Sequence, residues 1–176
     1  MELLLGCGAK RDKRFHTNGS LSWKNLVTLD CDSAHAPDVV HNLEVFPYPF
    51  EGDQFDEIHA YEVLEHTGAQ GDAKFFFQQF SELWRILKPE GVICATVPHH
   101  RSLWAWGDPS HRRIINAGSL SFLDQEQYVK QVGQTSMSDF RSIYRADFRT
   151  VHCAEEGEES FHFVLRAVKP SRCARA

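Results

Sequence analysis

Short apolar runs alternate with longer polar or amphipathic stretches along the chain, and this alternation limits the fold more than any other feature. The apolar runs predict strands at residues 2–5, 25–30, 38–43, 55–61 and 91–97. Strands separated by such long connections are typical of a parallel sheet. Two further β-rich runs within residues 140–170, joined by Glu-Glu-Gly-Glu-Glu, predict an antiparallel hairpin. We therefore expect an α/β fold with a mostly parallel sheet.

The stretch between the fourth and fifth predicted strands has the spacing of an amphipathic helix. Large apolar residues recur there at steps of three and four, on one helical face: Phe76, Phe80, Leu83, Trp84 and Leu87. We expect this face to pack against the sheet, and Pro89 and Gly91 to end the helix. A second helix is predicted to begin at Ser119 or Ser121 as N-cap and to end at Gly133.

The composition indicates one domain in the cytoplasm. The chain has 176 residues, 42% of them hydrophobic, and no Pro/Gly/Ser-rich linker divides residues 1–176. No apolar run reaches the roughly 20 residues that cross a bilayer, so no membrane association is expected. The five cysteines are widely spaced and odd in number, which favours reduced thiols. A net charge of -5 gives no overall case for nucleic acid, although basic clusters such as residues 10–14 leave it open as a partner.

Ligands of parallel α/β sheets bind beyond the carboxyl ends of the strands, so the residues that follow the strands are the candidates for function. The first predicted strand ends in Gly6, Cys7 and Gly8, where missing side chains would let the backbone approach a ligand. A simple tight turn is the alternative. The second strand ends in Asp30, 22 residues beyond Gly8, which suits an acceptor for the hydroxyls of an adenosine ribose.

The next two strand ends offer an amide, carboxylates and an imidazole. Asn42 and Leu43 follow the third strand and could meet the polar edge and the face of an adenine ring. The fourth strand leads into Glu62, Glu65 and His66, which share one face if the chain turns helical there. These oxygen and nitrogen ligands could hold a divalent metal ion, or Glu65 and His66 could only orient the loop.

Residues 98–118 have no usable periodicity and form a long connection, which predicts a functional loop. Trp104 and Trp106 could be stacking walls of an acceptor pocket, with Arg112 and Arg113 as partners for an anion. Alternatively, the loop is a lid whose tryptophans cover the cofactor or a second copy of the chain.

Four segments, in order within residues 2–98, resemble the motifs of class I S-adenosylmethionine-dependent methyltransferases: LLLGCG, VTLDCD, FDEIHAYEVLEHTG and FSELWRILKPEGVICATVP. The resemblance implies a Rossmann-like, seven-stranded, mostly parallel sheet with helices on both faces and an antiparallel C-terminal hairpin. It also implies methyl transfer from S-adenosylmethionine to an acceptor that it does not identify, such as a hydroxyl of a small molecule, glycan or nucleotide.

The same resemblance implies cofactor binding by eight residues: Gly6, Cys7, Gly8, Asp30, Asn42, Leu43, Tyr61 and Glu62. The glycine loop would contact the methionine part of the cofactor, and Asp30 the ribose. The residues after the third strand would lie at the adenine, and those after the fourth beside the sulfonium. The sequence departs from the family at Ala9 and Lys10, where members commonly have another glycine.

Glu-x-x-Glu-His at residues 62–66 is similar to the divalent-metal site of ubiquinone-biosynthesis O-methyltransferases and of small-RNA 2′-O-methyltransferases. The latter add a histidine from after the fifth strand, for which His111 is our choice, with His99 and His100 as alternatives. The resemblance therefore implies a site for Mg²⁺ or Mn²⁺ with four ligands: Glu62, Glu65, His66 and His111.

Methyl transfer is an in-line displacement in which the protein positions the acceptor and removes its proton where necessary. Histidines predicted near the sulfonium are the candidate bases: His66, His99, His100 and His111. A bound metal could help instead by lowering the pKa of an acceptor hydroxyl. The motifs of DNA amino-methyltransferases and cytosine C5-methyltransferases are absent. Asp-Pro-x-His at residues 108–111 resembles a pattern of relatives that include phage proteins.

Two other interpretations stay open. The chain could be a non-catalytic S-adenosylmethionine-binding subunit that regulates a partner, or its glycine loop and Asp30 could bind NAD in an oxidoreductase. The NAD interpretation leaves the segments at residues 64–66 and 87–91 unexplained. Because the first strand starts almost at Met1, the cofactor would be covered by the Trp104 loop, by a partner subunit or by nothing, and a homodimer would supply such a partner.

Overall fold

Seven strands form one sheet in this computed structural model, which describes residues 1–15 and 20–173. The strands are β1 Glu2–Leu5, β2 Leu26–Asp30, β3 Val39–Val40, β4 Phe55–Tyr61, β5 Leu87–Pro98, β6 Phe148–Glu156 and β7 Ser160–Ala167. Their order in the sheet is β3-β2-β1-β4-β5-β7-β6. Strands β1 to β5 pair in parallel, and β7 is antiparallel to both β5 and β6. The predicted α/β fold and its C-terminal hairpin are confirmed.

Four α-helices lie between the strands: α1 Ala73–Ile86, α2 Leu103–Gly107, α3 Ala117–Ser121 and α4 Gln125–Gln131. Single 3-10 turns span Ser33–His35 and Leu64–His66. In the part of the chain that is described, no helix has the length and apolar character for crossing a bilayer.

Helix α1 is the amphipathic helix that the spacing predicted. Asp72 caps its first turn, where the carboxylate accepts a 2.9 Å hydrogen bond from the N–H of Phe75. The helix ends at Ile86, before the predicted stop at residues 89–91, because Leu87 already pairs with β4 as the first residue of β5. Leu87 therefore enters the hydrophobic core as a residue of β5 and not of α1.

The prediction of one helix from Ser119 or Ser121 to Gly133 was wrong, because two short helices, α3 and α4, occupy this stretch. Asn116 caps α3: its side chain accepts the N–H of Ser119, whose hydroxyl in turn accepts the N–H of Asn116. Asp124 then begins a new helix because its carboxylate accepts the N–H two residues on. Gly133 follows α4 with a φ of +78°, as expected for a helix end.

Helices α1, α3 and α4 cover one face of the sheet. Alternate residues of the central strands point to this face and enter the hydrophobic core: Leu3, Leu5, Ile58, Ala60, Ile93, Ala95, Phe163 and Leu165. Phe80, Leu83, Leu120 and Tyr128 meet them from the helices. This core holds the carboxyl ends of β1, β4 and β5 in fixed relative positions.

The opposite face is polar, and the β1–β2 connection packs on it. Lys13 of this connection is buried, and its Nζ forms ion pairs with Glu2 at 2.9 Å and with Glu57 at 2.7 Å. Trp23 packs edge-on against His59. In the described residues, α1, α3 and α4 therefore pack on one face of the sheet, and buried charges hold the irregular β1–β2 connection on the other.

Candidate cofactor site and metal centre

A cavity of about 310 Å³ opens where β1, β2 and β4 end. It is lined by Gly6, Leu29, Asp30, Cys31, His41, Asn42, Leu43, Glu44, Glu62, Val63, His66 and Thr67. Five of these were predicted to bind the cofactor: Gly6, Asp30, Asn42, Leu43 and Glu62. A larger cavity of about 790 Å³ lies at the amino ends of the same strands, near Met1 and Lys88. Ligands of parallel sheets bind at the carboxyl ends, so we take the smaller cavity as the cofactor cavity.

Gly6 lets the chain turn tightly at the floor of the cofactor cavity. Its φ is +55°, and a Cβ atom there would lie 2.5 Å from Cγ2 of Val63. Gly8 also has a positive φ of +50°, but the space beside it is open. Cys7, between them, is buried. The first glycine is therefore required by both backbone and packing, and the second by the backbone alone.

Asp30 is fixed by the loops on either side of it. Its Oδ2 accepts the N–H of Gly8 and its Oδ1 accepts the N–H of Asp32, both at 2.9 Å. Burial acts to raise the pKa of Asp30, but these two N–H groups stabilise the carboxylate and keep its pKa below the ordinary value. Asp30 is therefore ionised at neutral pH, and each oxygen keeps a lone pair for a hydroxyl donor.

Asn42 and Leu43 form one end of the cofactor cavity. Leu43 is buried, and its carbonyl accepts a 3.1 Å hydrogen bond from the hydroxyl of Tyr48. The Oδ1 of Asn42 accepts the N–H of Glu44 at 2.9 Å. An amide and an apolar surface are thus held side by side, which suits the edge and the face of a planar base.

The helix that would have aligned Glu62, Glu65 and His66 does not form directly after β4. Glu62 has a φ of +55°, and the only helical turn here is the 3-10 turn at Leu64–His66. Glu62 is exposed and lines both the cofactor cavity and a neighbouring cavity of about 650 Å³. It therefore stands between two cavities.

A candidate metal centre forms from Glu65, His66 and His111, each of which offers one ligand atom within 4.8 Å of the others. Two backbone bonds bring the loop before α3 to this place, because the N–H groups of Arg112 and Arg113 both donate to the carbonyl of Glu65. The rings of His66 and His111 lie 4.7 Å apart between centroids. The group thus contains three of the four predicted ligands and does not include Glu62.

Neighbouring oxygens orient both imidazoles of this centre. Nδ1 of His111 lies 2.9 Å from the carbonyl of Trp104, and Nδ1 of His66 lies 3.3 Å from the carbonyl of Ser110. A carbonyl can only accept, so each Nδ1 carries a proton, and in the neutral form of the ring Nε2 then offers a lone pair. This is the tautomer that metal-binding histidines adopt.

Glu65 supplies the carboxyl group of the centre, which would be ionised when a cation binds. Its side chain is 2% exposed, and neither carboxylate oxygen has a hydrogen-bond partner among the described residues. Burial and the nearby carboxylate of Glu62 raise the pKa of Glu65 to about 8. A divalent cation would compensate this buried charge, so the donor set fits a metal ion.

The sequence matches no known family profile and no curated protein. Solved structures nevertheless share its fold. An S-adenosylmethionine-dependent methyltransferase from Archaeoglobus fulgidus is 13% identical, with a TM-score of 0.58 over 94% of this chain and 85% of that one. The N-methyltransferase NodS from Bradyrhizobium japonicum, solved with S-adenosyl-L-homocysteine, is 14% identical, with a TM-score of 0.56 over 94% and 76%. A methyltransferase from Haloferax volcanii, in complex with the Trm112 methyltransferase activator, is 13% identical, with a TM-score of 0.55 over 95% and 82%.

The chain has the class I S-adenosylmethionine-dependent methyltransferase fold. At this level of identity the likeness concerns the fold, and the chemistry has to be argued from the residues. Within the methyltransferase fold the cofactor cavity occupies the carboxyl end of the sheet, where the strand-end residues were predicted to meet.

Sequence reasoning missed a chain of buried polar side chains on the polar face of the sheet. The hydroxyl of Tyr61 contacts Nδ1 of His59, and Nε2 of His59 contacts Glu57, which also pairs with Lys13. Burial acts to lower the pKa of Lys13, but Glu57 and Glu2 raise it above the ordinary value. The signal was present in β4, where Glu57 and His59 alternate with the apolar Ile58 and Ala60 and so point to the other face.

His99 and His100, the alternatives to His111, lie in a different cluster with Glu155. His99 is 2% exposed; its Nδ1 accepts the N–H of Arg101 at 3.3 Å, and its Nε2 lies 3.4 Å from Oε1 of Glu155. This cluster joins the end of β5 to the β6–β7 hairpin. The structure therefore brings His111, and not His99 or His100, to Glu65 and His66.

The 98–118 loop does not gather its aromatic and basic side chains into one pocket. Trp104 and Trp106 are 61% and 73% exposed on α2. Arg112 pairs with Glu44 at the rim of the cofactor cavity, whereas Arg113 is buried. The predicted anion pocket of two tryptophans and two arginines is therefore not formed.

Proposed function

We propose that the protein transfers a methyl group from S-adenosylmethionine to a nucleophile that enters through the cavity beside Glu62. The observation that carries this proposal is the position of Glu62, which lines both the cofactor cavity and the neighbouring cavity. A methyl donor and its acceptor have to meet in line at one point. Two cavities that share a residue at the carboxyl end of the sheet provide such a point.

S-adenosylmethionine supplies an electrophilic methyl group on a positively charged sulfur. Asp30 suits the two ribose hydroxyls, because both of its oxygens are held in place by backbone N–H groups. Gly6 lets the ligand approach the backbone, and the carboxylate of Glu62 favours a cation beside it. The cofactor-binding roles of the eight predicted residues remain part of this proposal.

The cofactor carboxylate needs a cation, and Lys10 and Arg11, which follow the glycine loop, are the candidates. The guanidinium of Arg11 donates to the carbonyls of His35 and Ala36, both at 2.8 Å, and so ties the first loop to the β2–β3 connection. Lys10 is exposed beside it. We therefore assign the carboxylate to Lys10 and a structural role to Arg11.

The acceptor that we propose is a hydroxyl of a small molecule, glycan or nucleotide. The cavity beside Glu62 is also lined by Arg14, Phe15, Thr96, Glu156, Ser160 and His162. Nε2 of His162 lies 3.2 Å from Oε2 of Glu156, a pairing that would hold the imidazole in one orientation for proton removal. His162 therefore joins His66 and His111 as a candidate base, and the burial of His99 makes that residue a weaker one.

The metal centre forms the second part of the proposal, with Glu65, His66 and His111 as ligands. A divalent ion there would supply Lewis-acid help to an acceptor hydroxyl. Two imidazoles and one carboxylate suit Mn²⁺ better than Mg²⁺, which prefers oxygen ligands.

A turnover assay tests the proposal. The protein is incubated with S-adenosylmethionine and a panel of hydroxyl-bearing acceptors, with and without Mn²⁺, and S-adenosylhomocysteine is quantified. Acceptor-dependent product that Asp30→Ala abolishes and Asp32→Asn preserves is expected. Cofactor binding without turnover on any acceptor would favour the non-catalytic regulatory subunit. Binding of NAD and not of S-adenosylmethionine in a thermal-shift panel would exclude the methyltransferase proposal.

A further inference from the structure

Phe15 stands between the cavity beside Glu62 and the larger cavity near Met1. Among the described residues, it alone lines both of them. The two cavities lie on the same polar face of the sheet, because Val92 lines the larger one and Thr96, four positions further along β5, lines the smaller. The ring of Phe15 therefore separates two spaces on one face, and we call the space beside Glu62 the acceptor cavity.

Neighbouring rings hold Phe15 over the edge of the sheet where β4 and β5 end. It is parallel to the ring of Tyr61 on β4, with an angle of 9° and 6.0 Å between centroids, and it meets His162 of β7 edge-on at 5.7 Å. Thr96 of β5 pairs with both Tyr61 and His162 and so lies between them in the sheet. Phe15 and His162 thus give the acceptor cavity aromatic walls, and aromatic rings favour a further ring in offset or edge-on contact.

The size of the acceptor cavity suits one substituted ring. Its volume is about 650 Å³, which is typical of small-molecule sites, and Phe15 separates it from the space along β5 into which a longer acceptor could continue. A glycan or an oligonucleotide would need such a continuation. The wall at Phe15 therefore favours a small molecule among the acceptors that the proposed function admits.

The charges around the acceptor cavity leave one cation without a counterion. Glu156 pairs with His162, and Glu62 would face the positive sulfur of a bound cofactor. The guanidinium of Arg14 lies 4.9 Å from the centroid of the Tyr61 ring at the wall of the cavity, and it has no carboxylate partner among the described residues. Arg14 is exposed and can therefore pair with an anionic group of the acceptor, for which a carboxylate offers bidentate geometry.

We propose that the acceptor is a small aromatic hydroxy acid, whose ring packs against Phe15, whose carboxylate pairs with Arg14 and whose hydroxyl lies between Glu62 and His162. This inference rests on the proposed methyl transfer and names its substrate class. The hydroxyl oxygen forms a bond to the methyl carbon, the carbon–sulfur bond breaks with its electron pair left on sulfur, and the hydroxyl proton passes to the imidazole of His162. The products are an aromatic methyl ether, S-adenosylhomocysteine and protonated His162.

Calorimetric titration of the full chain, saturated with S-adenosylhomocysteine, tests the site without turnover. The probes 3-hydroxybenzoate and 4-hydroxyphenylacetate carry the ring, the acid and the hydroxyl. In 3-hydroxycyclohexanecarboxylate the same groups stand on a puckered ring, and 3-methylphenol lacks the acid. We expect the better of the two aromatic hydroxy acids to bind about tenfold more tightly than the puckered analogue and about fivefold more tightly than the phenol. Equal affinities in either comparison, or no binding of either hydroxy acid, would overturn the proposal.

Two variants connect these affinities to the residues. Phe15→Ala should remove the advantage of the hydroxy acid over the puckered analogue, whereas Val151→Ala, in the wall of the larger cavity alone, should keep it. Arg14→Met should remove the advantage over the phenol, whereas Arg145→Met, at an exposed arginine outside both cavities, should keep it. Because Arg14 is exposed, its variant tests the proposal even if Phe15→Ala fails to fold. Unchanged discrimination in Arg14→Met or in folded Phe15→Ala would contradict the proposal.

Turnover separates a failure of this inference from a failure of the proposed function. Formation of the methyl ether of a hydroxy acid, detected by mass spectrometry together with S-adenosylhomocysteine, would support both. Methylation of a non-aromatic alcohol or a glycan in preference to the hydroxy acids would overturn the inference and leave methyl transfer standing. Selective binding of the hydroxy acids without any turnover would retain the aromatic acid site and count against methyl transfer.

Discussion

The hydroxyl of Tyr61 lies 2.6 Å from Nδ1 of His59 and also accepts the N–H of Arg14 at 3.1 Å. Burial lowers the pKa of His59, so the ring is neutral, and Nε2 donates to Glu57 while Nδ1 accepts from Tyr61. One phenol therefore ties the end of β4 to the segment that follows the glycine loop. This contact anchors the segment that follows Gly6, Cys7 and Gly8.

Replacing Tyr61 with Phe should loosen that anchor. We expect Tyr61→Phe to lower the free energy of unfolding by about 1–2 kcal/mol, because His59 and the N–H of Arg14 lose a partner. Binding of S-adenosylhomocysteine, measured by calorimetry, should weaken as well. Tyr128→Phe is the matched control, since its hydroxyl donates to Phe122 on the other face of the sheet. Equal weakening of binding in both variants would show that the anchor has no special effect on the cofactor loop.

The two glycines of the first loop should respond differently to alanine. Gly6→Ala places a Cβ atom 2.5 Å from Val63 at a position where φ is positive. We therefore expect the free energy of unfolding to fall by about 2–4 kcal/mol and cofactor binding to become undetectable. A Cβ atom at Gly8 would meet open space. Gly8→Ala should therefore lower the free energy of unfolding by only about 1–2 kcal/mol, because of the positive φ. Urea denaturation and cofactor titration give both quantities. If Gly8→Ala is the more harmful substitution, the packing argument at Gly6 is wrong.

The carboxylate of Asp30 should contribute to stability in a pH-dependent way. Its pKa in the folded state is below the ordinary value of 3.8, so its contribution is present above that value and is lost as the pH falls through the folded pKa. The difference in unfolding free energy between wild type and Asp30→Asn should therefore be constant at neutral pH and shrink at acidic pH. Asp32→Asn serves as the control. A difference that grows on acidification would reverse the sign that we assign.

Glu65 should show the opposite dependence in metal-free protein. Its folded pKa of about 8 is above the ordinary value of 4.5, so the native state holds an extra proton between these values and loses stability as the pH rises through this range. Glu65→Gln, which cannot ionise, should be more stable than wild type by about 2–5 kcal/mol at pH 8 in the presence of a chelator. Urea denaturation from pH 5 to pH 9 checks this. Parallel pH curves for the two proteins would count against a buried ionisable Glu65.

Added Mn²⁺ should reduce the stability advantage of Glu65→Gln over wild type. At a concentration about 100 times its dissociation constant, a metal that binds only the native state stabilises it by about 2.7 kcal/mol. We expect this gain in wild type, a smaller one with Mg²⁺, and none in Glu65→Gln or His111→Ala. His35→Ala, which changes a histidine outside the centre, should behave like wild type. A Mn²⁺ shift that survives both ligand substitutions would place the ion elsewhere.

The strand ends were predictable from the sequence because strand periodicity and the position of glycines are local properties. Gly6, Asp30, Asn42 and Leu43 follow apolar runs that had to become strands, and a parallel sheet brings its carboxyl ends together. The contact of His111 with Glu65 and His66 could be suggested only by resemblance. It depends on backbone hydrogen bonds from Arg112 and Arg113 to Glu65, 47 and 48 residues earlier, which no local pattern records.

The features that sequence reasoning missed involve charges that contact one another over long distances in the chain. Lys13 belongs to the basic cluster of residues 10–14, yet it is buried between Glu2 and Glu57. Arg112 and Arg113 were predicted together as partners for an anion. The side chain of Arg113 is nevertheless buried, whereas that of Arg112 pairs with Glu44 at the surface. Side-chain burial of a charged residue depends on the cavity that the whole fold leaves for it, and the sequence pattern carries little information on that.

Glu62 is common to the cofactor cavity and the cavity beside it, so occupants of the two cavities share one carboxylate. A cation in the first cavity neutralises part of the negative charge of Glu62 and so changes the electrostatic potential in the second cavity. By thermodynamic linkage, if the first ligand changes the affinity for the second by some factor, the second ligand changes the affinity for the first by the same factor. Binding constants measured for either ligand alone therefore describe a different electrostatic environment from the one in which both are present.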